Sequence, residues 1–364
     1  MRKNADKCIS KFAKLLFLLA SLSFAVSFFA RQNVAFAEWV TNGIGYRIRR
    51  FLARLSSIFS VSIGEILIVL SPIIVLLVII FASKRDSAKG RIRFLSAFLA
   101  VLSLFYTGYV YTLGVGYHRE RLEDMLGIEE QRITGEALYS TASRLNEECI
   151  ALLDKISFSE SGSSVSDISF SETSSAMLEG YDRLIADYPD LNMKNFDSDA
   201  KAVHFSKVMT SLDLLGVYTY FTGEANVNVH YPDYTTPFTV AHEMAHQRGI
   251  AREDEANFTA FLVCIRSDSA YVRYSGYMNM LEYVASALYK TDKELYASLV
   301  SEYDERTKGE INAYHRFYIE NKNETLGKLS DKVNDTYLKA QGTEGVVSYG
   351  YVVRLAVAYY TKVQ

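Results

Sequence analysis

Three long apolar runs fill the first third of the chain. They extend roughly over residues 12–30, 62–82 and 94–115. A helix rises about 1.5 Å per residue, so each run is long enough to cross a hydrocarbon layer about 30 Å thick. No ionised residue interrupts the middle of a run, and Glu65 lies at the mouth of the second. The pattern predicts a membrane region over residues 1–116 with three transmembrane helices.

The basic residues indicate how these helices are oriented. Lysines and arginines precede the first run, and another group separates the second run from the third. Because positive charge is enriched on the cytoplasmic side, both groups are predicted to lie in the cytoplasm. After three crossings, everything beyond Val115 is then extracytoplasmic.

The first loop complicates this orientation because it is also rich in arginine. Its segment YRIRRFLARLSSIF, at 46–59, is amphipathic and is predicted to lie on the membrane surface. The preceding Ala35-Phe36-Ala37 resembles a signal-peptidase site. An uncleaved anchor is favoured. Cleavage between Ala37 and Glu38 remains an alternative that would leave two crossings and the large domain on the same side.

The remaining two thirds of the chain have the pattern of a globular domain. Apolar residues recur at helical spacing over 117–156, and a serine-rich stretch at 157–176 predicts a loop. Residues 224–229 alternate between inward and outward positions, as a strand does. Most of the chain from there to 364 again has helical spacing. The fold class predicted is mainly α: transmembrane helices followed by an α+β extracytoplasmic domain, 117–364, with a small sheet.

Charge and cysteine content exclude some classes of function. The chain carries 39 basic and 42 acidic residues, so no overall field favours nucleic acid. Its three cysteines form no CxxC pair and no disulfide framework. Cys149 and Cys264 are predicted to be buried helix thiols.

The segment HEMAH, at 242–246, carries the clearest chemistry. His242 and His246 are one helical turn apart and can take adjacent corners of a zinc tetrahedron. Glu243 projects beside them and is predicted to be the general base that deprotonates a zinc-activated water. A helix that begins near Pro237 and stops at Gly249 would carry the motif.

A third zinc ligand must come from farther along the chain. The metzincin pattern HExxHxxGxxH would place it at Arg252, which cannot bind zinc, so that pattern is excluded. Glu253, on the next predicted helix, is the preferred ligand, and Glu255 is the alternative. Asn257, one turn on, is predicted to orient a ligand histidine by a hydrogen bond.

Other residues are candidates for contact with substrate. Strand 224–229 is a candidate edge strand for binding an extended peptide by strand addition. Transition-state stabilisation needs a polar side chain near the metal, and the candidates are His230, Tyr234 and Tyr349.

Several of these segments together resemble a known family. They are GEANVN at 223–228, Pro237-Phe238-Thr239, HEMAHQRG, EDEANF and GVVSY at 345–349. In this combination the chain resembles the bacterial membrane-protein family called domain of unknown function 3810. The resemblance implies a zincin-like membrane protein and supplies no substrate. More distantly, HExxH followed by ExxA and Asn is similar to the gluzincin metallopeptidases.

The function predicted from the sequence is a membrane-anchored zinc metalloendopeptidase-like hydrolase. It would cleave a peptide or protein substrate outside the membrane. The lipid bilayer is its other predicted partner, and no nucleic-acid partner is predicted. The alternative is a zinc-bearing sensor or scaffold of the cell envelope that binds a ligand without turnover. Retention of Glu243 favours the enzyme, because a structural zinc site needs no general base.

Overall fold

The computed structural model of the protein describes residues 10–84, 87–129, 131–343 and 350–362. The chain is mainly helical, 72% in all, with small sheets. It forms two compact units. The first contains residues 1–119 and the short segment 219–224, and the second contains 120–218 and 225–364.

Helices dominate the described part of the first unit. Three of them are long and apolar enough to cross a membrane, with mean hydropathies of 2.0, 3.1 and 1.6, which indicates membrane association and confirms the three predicted apolar helices. A π-helical turn, Thr41–Gly45, joins two shorter helices, and a 3-10 turn, Gly114–His118, follows the last one. The helices are α1 (Lys11–Ala30), α2 (Val34–Val40), α3 (Tyr46–Ser56), α4 (Ile63–Ser83) and α5 (Ala88–Thr112).

The segment 219–224 belongs to the first unit because its side chains pack there. The Glu224 carboxylate accepts hydrogen bonds from the backbone N–H groups of Ile63, at 3.0 Å, and Gly64, at 2.6 Å. These groups begin α4 and have no partner within the helix, so a carboxylate there satisfies them and complements the helix dipole. The ring of Phe221 meets that of Phe105 on α5, edge to face.

The second unit is built around helices that pack on the helix with the HExxH segment. Its core includes apolar residues from most of the larger helices. Short 3-10 turns occur at Leu153–Lys155 and Pro189–Leu191. The helices are α6 (Leu122–Met125), α7 (Gly135–Leu152), α8 (Phe170–Asp187), α9 (Ser206–Ser211), α10 (Thr235–Gln247), α11 (Glu253–Cys264), α12 (Ala270–Thr291), α13 (Lys293–Ser301), α14 (Glu305–Asn321), α15 (Glu324–Ala340) and α16 (Tyr351–Lys362).

The strands are short and form two sheets. One pairs β1 (Ser157–Phe158) with β2 (Ser164–Val165) in antiparallel fashion. The other has the order β3-β5-β4, with β3 (Lys201–Ala202) parallel to β5 (Glu224–Val227). The remaining strand, β4 (Gly216–Thr219), is joined to β5 by a four-residue turn and is an edge strand of the described sheet.

The serine-rich stretch is more ordered than the sequence predicts. It contains the β1–β2 pair, and α8 begins within it at Phe170. Ser169 caps α8: its hydroxyl accepts from the Glu172 N–H, and the Glu172 carboxylate accepts from the Ser169 N–H. The structure therefore ends this loop at 169 rather than 176, because a reciprocal capping box begins a helix despite the polar composition.

Candidate metal centre

Helix α10 carries both histidines of the HExxH motif on one face. The Nε2 atoms of His242 and His246 are 3.2 Å apart, and their rings are nearly perpendicular, at 89°. Gly249, with a φ of 95°, ends the helical path, and the Ile250 N–H returns to the carbonyl of Ala245 at 3.1 Å. This is the helix stop that the sequence predicts for glycine at this position.

The turn at Gly249 brings α11 back so that Glu253 faces the two histidines. One Glu253 oxygen lies 3.2 Å from His242 Nε2, and the other lies 3.7 Å from His246 Nε2. Ligands at about 2.0–2.1 Å from a tetrahedral zinc are separated by about 3.3 Å from one another. Each histidine therefore has one Glu253 oxygen near this separation, and with one ligand atom per residue the three groups lie within 4.8 Å of one another. Two imidazoles with a carboxylate are a donor set that suits zinc.

Glu255, the alternative ligand, is engaged elsewhere. Its Oε1 lies 2.8 Å from an Arg252 Nη and 3.3 Å from the backbone nitrogen of Leu122. Arg121 approaches the same oxygen at 3.6 Å. Because residues two positions apart on a helix point in different directions, Glu253 faces the two histidines and Glu255 does not.

The hydrogen bond to the outer nitrogen of His246 orients its ring. His246 Nδ1 donates to the Ile250 carbonyl at 2.7 Å, which leaves the Nε2 lone pair directed at the cluster. Asn257, predicted for such a role, is buried on α11, and its role stays a prediction. Among the described residues, neither Asn257 Nδ2 nor the buried His242 Nδ1 has a hydrogen-bond partner.

Charge is strongly coupled within the cluster. Burial opposes a charge on His246, but the Glu253 carboxylate outweighs it and raises the His246 pKa to about 9. Burial also opposes ionisation of Glu253, and the facing histidines outweigh it and hold its pKa well below the usual range. A zinc ion would replace the proton that this pair shares, because zinc ligands bind in their deprotonated forms.

Glu243 lies beside the three donors and is not one of them. Its side chain is 4% exposed, and its Oε2 has no hydrogen-bond partner among the described residues. Burial raises the Glu243 pKa to about 7, although His242 and His246 act to lower it. A buried carboxylate with one free oxygen is what a general base next to a metal requires.

Strand β4 fixes the position of Glu243. The Tyr218 backbone N–H donates to the Glu243 carboxylate. Gly216 passes so close that an added Cβ would stand 2.4 Å from Glu243 Oε1. The Tyr218 ring also lies beside that of His246, with centroids 6.2 Å apart. Sequence reasoning missed Gly216 and Tyr218, because no local pattern connects them to the motif.

The strand predicted as the edge is in fact central. Strand β5, which contains most of the alternating segment 224–229, has a neighbour on each side. Strand β4 takes the edge position, because the turn after Thr219 folds β5 back between β4 and β3. The candidate for binding an extended peptide is therefore β4.

Buried side chains beneath α10 hold the motif helix in place. Tyr181 donates from its hydroxyl to the Ala241 carbonyl at 2.6 Å. The Arg248 guanidinium stacks 3.8 Å from the Tyr181 ring and donates to the carbonyls of Met244 and Phe196, both at 3.2 Å. This arginine is 2% exposed, and it closes the carboxyl end of the helix.

The other predicted contact residues have different surroundings. His230 Nδ1 lies 3.1 Å from Thr210 Oγ1, and its ring packs on Phe317. Tyr234, fully buried before α10, donates to Glu282 at 2.6 Å. Tyr349 lies outside the described residues. The contacts of His230 and Tyr234 do not include the three clustered donors.

Comparison with known proteins gives one result, at the level of the family. No curated protein and no solved structure matches the chain. A family model does match, from residue 41 to residue 357, and this range includes α10, α11 and strand β4. Since the match covers well over half of its length, the chain belongs to the family described as Protein of unknown function (DUF3810).

Proposed function

We propose that this protein is a membrane-anchored, zinc-dependent peptidase. In this proposal His242, His246 and Glu253 hold the metal, and Glu243 is the general base. The observation that carries the proposal is the position of Glu243: buried, next to the three donors, and with one oxygen unengaged by the described residues. A purely structural zinc site would use a fourth protein ligand and would need no such group.

The chain's own residues can perform the proton transfers of peptide hydrolysis. Zinc, when bound, would polarise the substrate carbonyl and lower the pKa of a water. Glu243 would accept a proton from the attacking water and deliver it to the leaving amine. Burial suits Glu243 to both steps, because a desolvated carboxylate is a stronger base than an exposed one.

The outer edge of β4 offers a place for an extended substrate. The Tyr218 N–H points towards Glu243, so this edge of the strand faces the metal centre. A peptide added to β4 would be held by hydrogen bonds to backbone groups other than the Tyr218 N–H, which Glu243 engages, and such bonds are independent of the peptide's side chains. We therefore assign the substrate class as an extended segment of a peptide or protein.

The proposal includes a multi-pass membrane region with the second unit outside the cytoplasm. The basic groups before α1 and between α4 and α5 support this orientation. The proposal also includes retention of α1, without cleavage between Ala37 and Glu38. Ala37 is fully buried within α2, and the Glu38 carboxylate accepts hydrogen bonds from Arg119 at 2.8 and 3.1 Å. Protease added to intact cells should degrade the second unit and spare the loop before α5.

The test is Glu243→Gln in the full-length protein. Zinc content is measured by elemental analysis, and turnover is measured with a quenched-fluorescent peptide library. The variant should keep about one zinc per chain and lose turnover, because glutamine cannot accept a proton. Glu179→Gln, at an exposed position of α8, is the matched control and should retain both properties.

Each result separates the candidate functions. Wild-type turnover in Glu243→Gln would refute the mechanism. A zinc-loaded wild-type protein that binds peptides from the library and cleaves none would favour the non-catalytic sensor or scaffold. Loss of zinc in the variant would make Glu243 part of the metal site.

A further inference from the structure

The loop between α1 and α4 is unusually basic for a segment between apolar helices. Residues 31–62 contain five arginines and a single acidic residue, Glu38. Glu38 is already paired with Arg119. Most of the arginines lie on α3, which contains no acidic residue. This loop therefore carries a surplus of positive charge that the described pairing of Glu38 does not offset.

Helix α3 is held at the end of a membrane-length helix. Arg49, buried on its inner face, donates to the carbonyl of Thr112, the last residue of α5, at 3.4 Å and to that of Thr41 at 3.0 Å. The preceding turn is equally close, since a Cβ on Gly45 would stand 2.4 Å from the Tyr111 carbonyl oxygen. Because α5 is apolar from Phe94 to its end at Thr112, that end marks the boundary of the hydrocarbon layer, and α3 lies at that boundary.

The exposed surface of α3 has an apolar side and a basic side. Successive residues turn by about 100°, which places Phe51 and Leu55 next to each other and Arg47 and Arg54 beside them. Phe51 is 65% exposed and Leu55 is 51% exposed. Both arginines are exposed as well. Such a helix is suited to lie in the plane of an interface, with apolar residues below and cations at the headgroup level.

Residues that flank α3 in the chain are also apolar and exposed. The only tryptophan of the chain, Trp39, is 69% exposed on α2, and Ile58, just after α3, is 73% exposed. Tryptophan is enriched where a membrane meets water. Exposed apolar groups of this size on both sides of α3 indicate a surface that lipid covers.

We propose that α3 is an anionic-lipid binding surface, at which Arg47 and Arg54 contact phospholipid headgroups while Phe51 and Leu55 enter the acyl region of the same leaflet. Charge complementarity selects a negatively charged headgroup over a zwitterionic one. Each arginine at such a surface favours anionic lipid by about fivefold. The proposal is independent of the peptidase activity.

Trp39 provides a direct measurement because it is the sole tryptophan. The full-length protein is reconstituted into bilayers of equal parts phosphatidylglycerol and phosphatidylcholine, with bromine on the acyl chains of one lipid or the other. Brominated phosphatidylglycerol should quench Trp39 more strongly than brominated phosphatidylcholine. At 1 M salt, where charges are screened beyond about 3 Å, the two should quench alike.

The double variant Arg47→Gln with Arg54→Gln should lose this difference and keep the quenching itself, because the apolar side is intact. Lysine at both positions should preserve the difference. The matched control is Arg91→Gln with Arg93→Gln, two exposed arginines near the start of α5, and it should behave as the wild type.

Three outcomes would overturn the proposal. Equal quenching by the two lipids in the wild type would show that α3 has no preference for anionic lipid. A preference that survives in the glutamine variant would assign it to other cations. Absence of quenching by either lipid would place Trp39 away from the bilayer, and fluorescence that then changed with protein concentration would assign this face to a second copy of the chain.

Discussion

Replacing Gly216 by alanine tests whether β4 fixes the proposed catalytic base. The new Cβ would stand 2.4 Å from Glu243 Oε1 and 2.8 Å from its Cδ. Ordinary contacts are about 3.5 Å, so the carboxylate must retreat by about 1 Å. A displacement of that size at a reacting group costs roughly 100-fold in rate, or about 2.7 kcal/mol. The φ of Gly216 lies outside the left-handed region, so alanine strains no backbone.

The assay compares zinc content and peptide-library turnover in the full-length protein. Zinc should be unchanged, because Gly216 meets Glu243 and not the three donors. The matched control is Gly327→Ala on α15, where an added Cβ meets nothing within 4 Å. That variant should keep full turnover and gain slightly in stability, because alanine favours a helix over glycine by about 1 kcal/mol.

The double variant Gly216→Ala with Glu243→Gln makes the test specific. If the strand acts only through Glu243, alanine should cause no further loss once the glutamate is replaced. Full turnover in Gly216→Ala with normal zinc would refute the reasoning. If Glu243→Gln retains a measurable residual rate, a further 100-fold loss of that rate in the double variant would show that β4 acts by another route, such as substrate binding.

Three further predictions follow from buried charge. Glu253→Ala should abolish zinc binding, whereas Glu255→Ala should keep the metal but lower the melting temperature, because the buried Leu122 N–H loses its acceptor and Arg252 loses one carboxylate partner, at a cost of about 1–3 kcal/mol. The reverse order of zinc affinities would make Glu255 the ligand. Arg248→Met should lower the free energy of unfolding by about 2–3 kcal/mol through lost stacking on Tyr181 and lost carbonyl hydrogen bonds, and an unchanged melting temperature would contradict this. Burial raises the pKa of Glu282 from 4.5 to about 7, so the stability that this side chain contributes is complete below about pH 4.5 and is lost as the pH rises through 7. Glu282→Gln should therefore have a higher melting temperature than the wild type at pH 8 and not at pH 4.5. A difference in melting temperature that stays the same at both pH values would exclude this titration.

The local features of the sequence predicted the elements well. The three apolar runs are found as helices with nearly the predicted bounds, because apolar side chains at membrane length permit little else. The spacing of His242 and His246 and the stop at Gly249 depend on helix geometry within a few residues, and both are found as expected.

Features that depend on contacts between distant parts of the chain could not be predicted from the sequence. Helical periodicity allowed either Glu253 or Glu255 to face the histidines. In the structure Glu253 faces the histidines, while Arg121 and the Leu122 N–H, more than a hundred positions away, engage Glu255. The edge strand was misplaced for the same reason, since alternation reveals a strand but not its neighbours.

The sequence by itself determined which segments are apolar helices and which residues are candidate metal ligands, because those properties depend on short-range spacing and on side-chain chemistry. Only the tertiary structure decided what surrounds them. It placed Gly216 against Glu243, used Glu224 to cap a membrane-length helix, and buried Arg49 at the end of another. Such contacts join residues tens to more than a hundred positions apart, and the chain forms them only when burial of the whole core stabilises the fold.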